Sequence, residues 1–122
     1  MGKHILVVDD DAMNVRMAEF ILKQQQYQVL KASSGMECLE VLKDQPVDLV
    51  LLDIEMPEMN GMQTLERIRE EERFLKIPVM FLTASTELED MENAQRLGAA
   101  GYVKKPFLPQ ELLDRVEKVI GQ

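Results

Sequence analysis

Five short apolar runs, at 5–8, 28–30, 49–52, 79–82 and 101–103, punctuate this chain, and stretches with helical spacing separate them. No other feature narrows the choice of fold as far. Runs such as Ile5-Leu6-Val7-Val8 and Leu49-Val50-Leu51-Leu52 are continuous, without the alternation of a half-solvated strand. Strands of that kind are covered on both faces, as in a parallel sheet. Strand and helix in alternation, joined by short connections, imply right-handed βαβ crossovers and an α/β sandwich of five units. The 122 residues suffice for one core and are too few for two. With no linker, low-complexity segment or internal repeat, a single domain over 1–122 is expected.

The helical segments carry apolar stripes at the i, i+3, i+4, i+7 spacing of helices packed on a core. The first is read as Asn14, Met17, Ala18, Ile21 and Leu22, the second includes Cys38, Val41 and Leu42, and the third is marked by Met62, Leu65 and Ile68. The last carries Leu112, Leu113, Val116, Val119 and Ile120. Helix four, at about 87–97, has the thinnest stripe, Leu88, Met91 and Leu97. Its acidic opening of Glu87, Glu89, Asp90 and Glu92 suits the positive end of a helix dipole. Nine methionines invite attention, but Met17, Met62 and Met91 on helices and Met80 on a strand read as core fillers.

Composition removes several classes of function. The 22 acidic against 14 basic residues give a net charge of −8, which argues against direct nucleic-acid binding, where clustered Lys and Arg hold phosphates. No apolar run approaches the roughly 18 to 20 residues that span a bilayer, and the N-terminus lacks a signal-peptide pattern. Cys38 stands alone, so no internal disulfide forms, which fits a reducing cytoplasm. Its spacing reads as a small core residue. His4 has no nearby Cys or His with which to bind a metal.

In an open α/β sheet, ligands bind beyond the carboxyl ends of the strands. Asp9-Asp10-Asp11 follow the first run, Asp53 the third, Thr83 the fourth and Lys105 the fifth. Asp11, just before a helical stripe, reads as an N-cap. The others bring three acids, a hydroxyl and an amine to one sheet edge. Two carboxylates ~4 Å apart repel by about 4 kcal/mol at an effective dielectric of about 20. Asp9, Asp10 and Asp53 together therefore need cations: Lys105 supplies one charge and a hard divalent ion the rest. Oxygen-only ligands in small number point to Mg²⁺, with Mn²⁺ as a substitute. Such a group around an aspartate forms a phosphoryl-transfer site, with Asp53 as nucleophile and Lys105 and Thr83 meeting the phosphoryl oxygens. Met56-Pro57 and Asn60-Gly61 then turn the chain away from Asp53, Gly61 permitting a positive φ and Asn60 tolerating the turn.

Four segments in order carry a family resemblance: Val7-Val8-Asp9-Asp10, then Leu52-Asp53-Ile54-Glu55-Met56-Pro57-Glu58-Met59-Asn60-Gly61, then Pro78-Val79-Met80-Phe81-Leu82-Thr83-Ala84, and Gly98-Ala99-Ala100-Gly101-Tyr102-Val103-Lys104-Lys105-Pro106-Phe107. Over essentially its whole length the chain resembles the receiver domains of two-component response regulators. That resemblance implies a flavodoxin-like doubly wound (βα)5 sandwich with strand order 2-1-3-4-5. It implies that Asp10 and Asp53 touch Mg²⁺, that the Glu55 carbonyl is a further ligand, and that Asp9 acts mostly through water. The family's lysine falls on Lys105, before the proline, and not on Lys104; a cis peptide before that proline is implied as well. Glu55 and Ser85 occupy positions that influence phosphate lifetime, and Asn60 replaces a common Asp. The implied partners are a sensor histidine kinase or a histidine phosphotransfer protein and a downstream protein or output domain; none is expected within this chain. The implied role is a cytoplasmic phosphoacceptor that catalyses its own phosphorylation and dephosphorylation, with Thr83 and Tyr102 as its switch, and not a turnover enzyme on an external substrate.

Three rivals fit less well. A haloacid-dehalogenase-like phosphatase expects Asp-x-Asp on its first strand, whereas this chain reads Asp53-Ile54-Glu55 after the third. A flavodoxin needs a Ser/Thr/Gly-rich phosphate loop where Asp9-Asp10-Asp11 stand. A phosphorylation-independent binding module of the same fold usually lacks one of the acids, the Thr or the Lys, and all are present.

Overall fold

The apolar runs form the strands of a five-stranded parallel sheet of order β2-β1-β3-β4-β5 in the computed structural model, which describes residues 2–84 and 88–121, the side chains of 88–91 aside. The strands are β1 (His4–Val8), β2 (Gln28–Ala32), β3 (Leu49–Asp53), β4 (Val79–Thr83) and β5 (Gly101–Lys104). The helices are α1 (Ala12–Lys23), α2 (Gly35–Asp44), α3 (Gly61–Glu70), α4 (Leu88–Arg96) and α5 (Pro109–Ile120), with a 3-10 turn at Glu72–Phe74. This is the doubly wound, flavodoxin-like sandwich expected.

Two apolar layers hold the sheet. On one face Ile5, Val7, Leu49, Leu51 and Leu82 meet Ala18 and Leu22 of α1 and Leu112 and Val116 of α5. On the other, Leu6, Val8, Val50, Leu52 and Phe81 meet Cys38 and Leu42 of α2 and Leu65 and Ile68 of α3. Full burial of each such side chain contributes about 1.5–3 kcal/mol, and β3 and β4, buried at every residue, are packed on both faces. Cys38 is one of these core residues, and burial pushes its thiol up to about 12, which leaves it inert. No described helix is long and apolar enough to cross a membrane.

Helix ends follow local chemistry. Asp11 caps α1 by accepting the Met13 N–H at 2.9 Å, as expected, and Ser34 caps α2 by accepting that of Glu37. The buried face of α1 departs from the expected stripe: Val15, Ala18, Ile21 and Leu22 point inward, while Asn14 is only partly covered and Met17 is 47% exposed. Ala18, Ile21 and Leu22 are compatible with either Asn14 or Val15 one turn earlier, and packing selects the branched apolar residue. Met17 is therefore not a core filler. Met80 is, Met62 is half-buried against the second layer, and the Met91 side chain lies outside the described residues. So do Ser85 and Glu87 and the side chains of Leu88, Glu89 and Asp90.

Candidate functional site

Four strand ends meet at the C-terminal edge of the sheet. Asp9 follows β1 directly, Asp53 ends β3, Thr83 ends β4, and Lys105 follows β5. Register explains why they arrive together: Val8 pairs with Leu52, Asp53 with Leu82 and Thr83 with Lys104. Asp9, Asp53 and Thr83 are almost fully buried, whereas Asp10 is exposed at the mouth. One carboxylate oxygen from each of Asp9, Asp10 and Asp53 belongs to a group whose members lie within 4.8 Å of one another.

The Lys105 ammonium reaches into this group, donating to Asp53 Oδ1 at 3.1 Å and to Asp9 Oδ2 at 3.3 Å. Asp9 Oδ1 accepts the Asp11 N–H at 3.0 Å. Both oxygens of Asp9 are thus engaged by protein donors, which leaves Asp10 and Asp53 better able to meet a ligand directly. Lys104 is exposed, as the alternation of β5 requires. The Lys105–Pro106 peptide is cis.

Electrostatics mark the corner as strained in charge. Burial, reinforced by the negative charge of Asp9, pushes Asp53 from 3.8 up to about 6 against the opposing pull of Lys105. For Lys105, burial disfavours the charged form, but its hydrogen bond to Asp53 and the two carboxylate charges outweigh that and raise it above the ordinary lysine value. Two buried acids share one ammonium, with a third acid at the rim. An oxygen-only set of this kind suits a hard divalent cation that keeps part of its water shell.

The loop after Asp53 is built differently from expectation. Gly61 has no positive φ; it is the first residue of α3, and the left-handed residue of this loop is Glu58 at φ 68°. Gly61 is required for close approach, since a Cβ there would press on the Asp53 carbonyl and come within 2.7 Å of Ile54 Cα. Asn60 caps α3 in a reciprocal capping box, accepting the Gln63 N–H at 2.9 Å while its own N–H donates to Gln63 Oε1 at 3.0 Å. The start of α3 is thereby pinned against the end of β3, which fixes where the Asp53 backbone sits. Glu55 lies in this loop with an exposed side chain.

Tyr102 stands on the edge strand β5, opposite Phe81 and 36% exposed. Strand alternation puts it on the sheet face that α2, α3 and α4 cover, the face of Phe81 and Thr83. Two arginines near this side were not singled out from the sequence. Arg69 donates to the carbonyls of Ile77 at 3.0 Å, Phe74 at 3.2 Å and Gly98 at 3.4 Å, tying the end of α3 to the turn after α4. Arg115 of α5 donates to the Tyr102 carbonyl at 3.1 Å. Each acts on backbone carbonyls, which no residue pattern announces.

An open parallel α/β sheet with clustered acids, a hydroxyl and a lysine at its C-terminal edge fits the receiver class of signalling module. The family model described as the response regulator receiver domain matches residues 5–117, and the chain belongs to that family of two-component systems. Among curated proteins it is 35% identical over 120 residues to the alkaline phosphatase synthesis transcriptional regulatory protein PhoP of Bacillus subtilis, covering 98% of this chain and 49% of that protein. It is 37% identical over 117 residues to the response regulator SaeR of Staphylococcus aureus, covering 96% and 50% respectively. The chain thus spans about half the length of these relatives. Among solved structures, chemotaxis protein CheY4 of Vibrio cholerae superposes with a TM-score of 0.93 at 28% identity, covering 98% of this chain and 99% of that one. The receiver domain of sensor histidine kinase PA1611 from Pseudomonas aeruginosa, solved with a magnesium ion coordinated in its active-site cleft, gives 0.90 at 30% identity with both chains fully covered.

Proposed function

We propose that this protein is a phosphoacceptor in a two-component pathway, taking a phosphoryl group on Asp53 from the phosphohistidine of a sensor kinase or phosphotransfer protein. The observation that carries this reading is the Lys105 ammonium held between two buried carboxylates, Asp53 and Asp9. A structural ion pair needs one acid; a second buried acid and a third at the rim leave negative charge that a bound cation offsets. Asp10, Asp53 and the Glu55 carbonyl would hold Mg²⁺, or Mn²⁺ in its place, with Asp9 acting through water because its oxygens already have donors. When bound, the ion supplies positive charge for the phosphoryl oxygens.

The protein groups divide the remaining work. An Asp53 oxygen attacks phosphorus in line, the P–N bond to the donor imidazole breaks as the new P–O bond forms, and the imidazole leaves with a proton. The Lys105 ammonium neutralises charge on an equatorial oxygen, and the Thr83 hydroxyl donates a hydrogen bond to another. Raised basicity at Asp53 favours its nucleophilicity once the proton is lost. Hydrolysis of the acyl phosphate returns the protein to its resting state, with Glu55 and Ser85 setting the lifetime. The Thr83 contact draws the loop after β4 inward and lets the Tyr102 ring follow, so that the face made by α4, β5 and α5 changes for a partner protein or a further domain. The setting is cytoplasmic, in keeping with the family.

Incubation with acetyl phosphate and Mg²⁺ followed by intact-mass analysis tests the assignment. One phosphoryl group should add to the wild type and none to Asp53→Asn. Undiminished labelling of Asp53→Asn would refute it.

A further inference from the structure

The Arg115 guanidinium carbon lies 5.5 Å from the centroid of the Tyr102 ring, while Nη1 of the same residue donates to the Tyr102 carbonyl. Arg115 belongs to α5, which packs on the sheet face opposite the one Tyr102 occupies, so its side chain reaches round the edge strand β5. Among the described residues it has no carboxylate partner, although Glu111 and Asp114 lie on the same helix. Its positive charge is directed at the ring. The two contacts respond differently to movement of the tyrosine. The hydrogen bond goes to backbone and survives a change of side-chain rotamer; the cation–π contact exists only while the ring lies outward.

We infer that Arg115 is a positioning residue that latches the Tyr102 ring outward and so sets the resting bias of the output face. The inference rests on the reading of Tyr102 as part of the switch. A ring that turns inward toward Thr83 must leave the guanidinium. The anchored backbone keeps the cation in place to receive the ring again when the phosphoryl group is lost. The latch therefore opposes activation in the resting protein and restores the outward state afterwards. At an exposed site the contact is worth about a two- to five-fold change in the outward-to-inward ratio.

The chain has two tyrosines, so Tyr27→Phe leaves Tyr102 as the sole tyrosine ring signal in NMR. In that background, Tyr102 χ1 populations are measured with and without beryllofluoride and Mg²⁺ for Arg115, Arg115→Lys, Arg115→Met and Arg115→Ala. Methionine keeps the aliphatic stem, which guards against a folding defect in the alanine variant. The expected result is an inward shift of the ring on adding beryllofluoride to the parent. Without it, the inward fraction should rise about two- to five-fold in the methionine and alanine variants, with lysine between them and the parent. A parent ring that moves while the uncharged variants keep the parent's resting populations would overturn the latch and leave the switch standing. A parent ring that does not move with beryllofluoride would overturn the switch and the latch together.

Discussion

The two sides of the site are held by different means. On the β1–β3 side, every residue of β3 and four of the five in β1 are buried, and Asp53 is the last residue of a strand packed on both faces. On the α4–β5 side, one residue of β5 is buried, and the described α4 side chains that reach the core, together with Leu97 beyond the helix, are only partly covered. Apolar packing fixes the first side. Polar clamps secure the second: Arg69 on the Gly98 carbonyl and Arg115 on that of Tyr102. The contrast suits the proposed function, in which the acceptor would have to stay still while a neighbouring region moves for a few kcal/mol.

The sharpest way to break the comparison is at Lys105. Its replacement by alanine removes the cation from two buried acids, and phosphoryl transfer from acetyl phosphate should slow by roughly 10²–10³-fold, in the range for losing one preorganised donor. A drop of less than about tenfold in a rate measured under saturating Mg²⁺ would mean that the ammonium is structural only.

The next effect is on stability. Burial raises Asp53 above its unfolded value, so the folded state holds that proton more tightly. The associated stability is present below about pH 3.8 and is lost as the pH rises through about 6. Metal-free protein should therefore weaken by at most about 3 kcal/mol between pH 4 and 7 from this group. Urea melts across that range should lose more stability with rising pH in the wild type than in Asp53→Asn, and Mg²⁺ should restore the wild type at pH 7. Equal slopes for both proteins would show that Asp53 is not the repelled charge. Asp10→Ala should thin the negative charge at the rim of the acid group and raise the metal-free melting temperature.

On the other side of the molecule, Arg69→Ala removes three bonds to carbonyls and should cost about 1–2 kcal/mol. Amide hydrogen exchange should accelerate at Gly98 and Ala99 and stay unchanged in β3. Acceleration spread evenly over the sheet would deny that the two sides are held separately. The smallest effect is expected at Asn60, where alanine should cost about 1 kcal/mol through the lost cap and aspartate almost nothing. Chemical denaturation of both variants checks this.

Much of this was legible in the residues. The runs at 5–8, 49–52 and 79–82 mark strands because double-sided burial demands continuous apolar sequence, and the site lies where those runs end in acids and a hydroxyl. What stayed hidden has specific physical causes. The phase of α1 depended on whether Asn14 or Val15 faced inward, which packing decides. Gly61 is identifiable as special, but the reason, proximity to the backbone of Asp53 and Ile54, is a tertiary distance. Asn60 stands where a turn and a helix begin together, and only the bond to Gln63 separates a cap from a turn residue. Arg69 and Arg115 look like solvated helix charges until their carbonyl partners are known.

The most direct test of the division between a fixed acceptor and a movable readout is a map of amide chemical shifts with and without beryllofluoride and Mg²⁺. The account predicts changes around Asp53 and Thr83 that continue through residues 88–97 and Tyr102, with the interior of β1 and β3 unaltered. Changes confined to the immediate surroundings of Asp53, with none in 88–97 or at Tyr102, would contradict it.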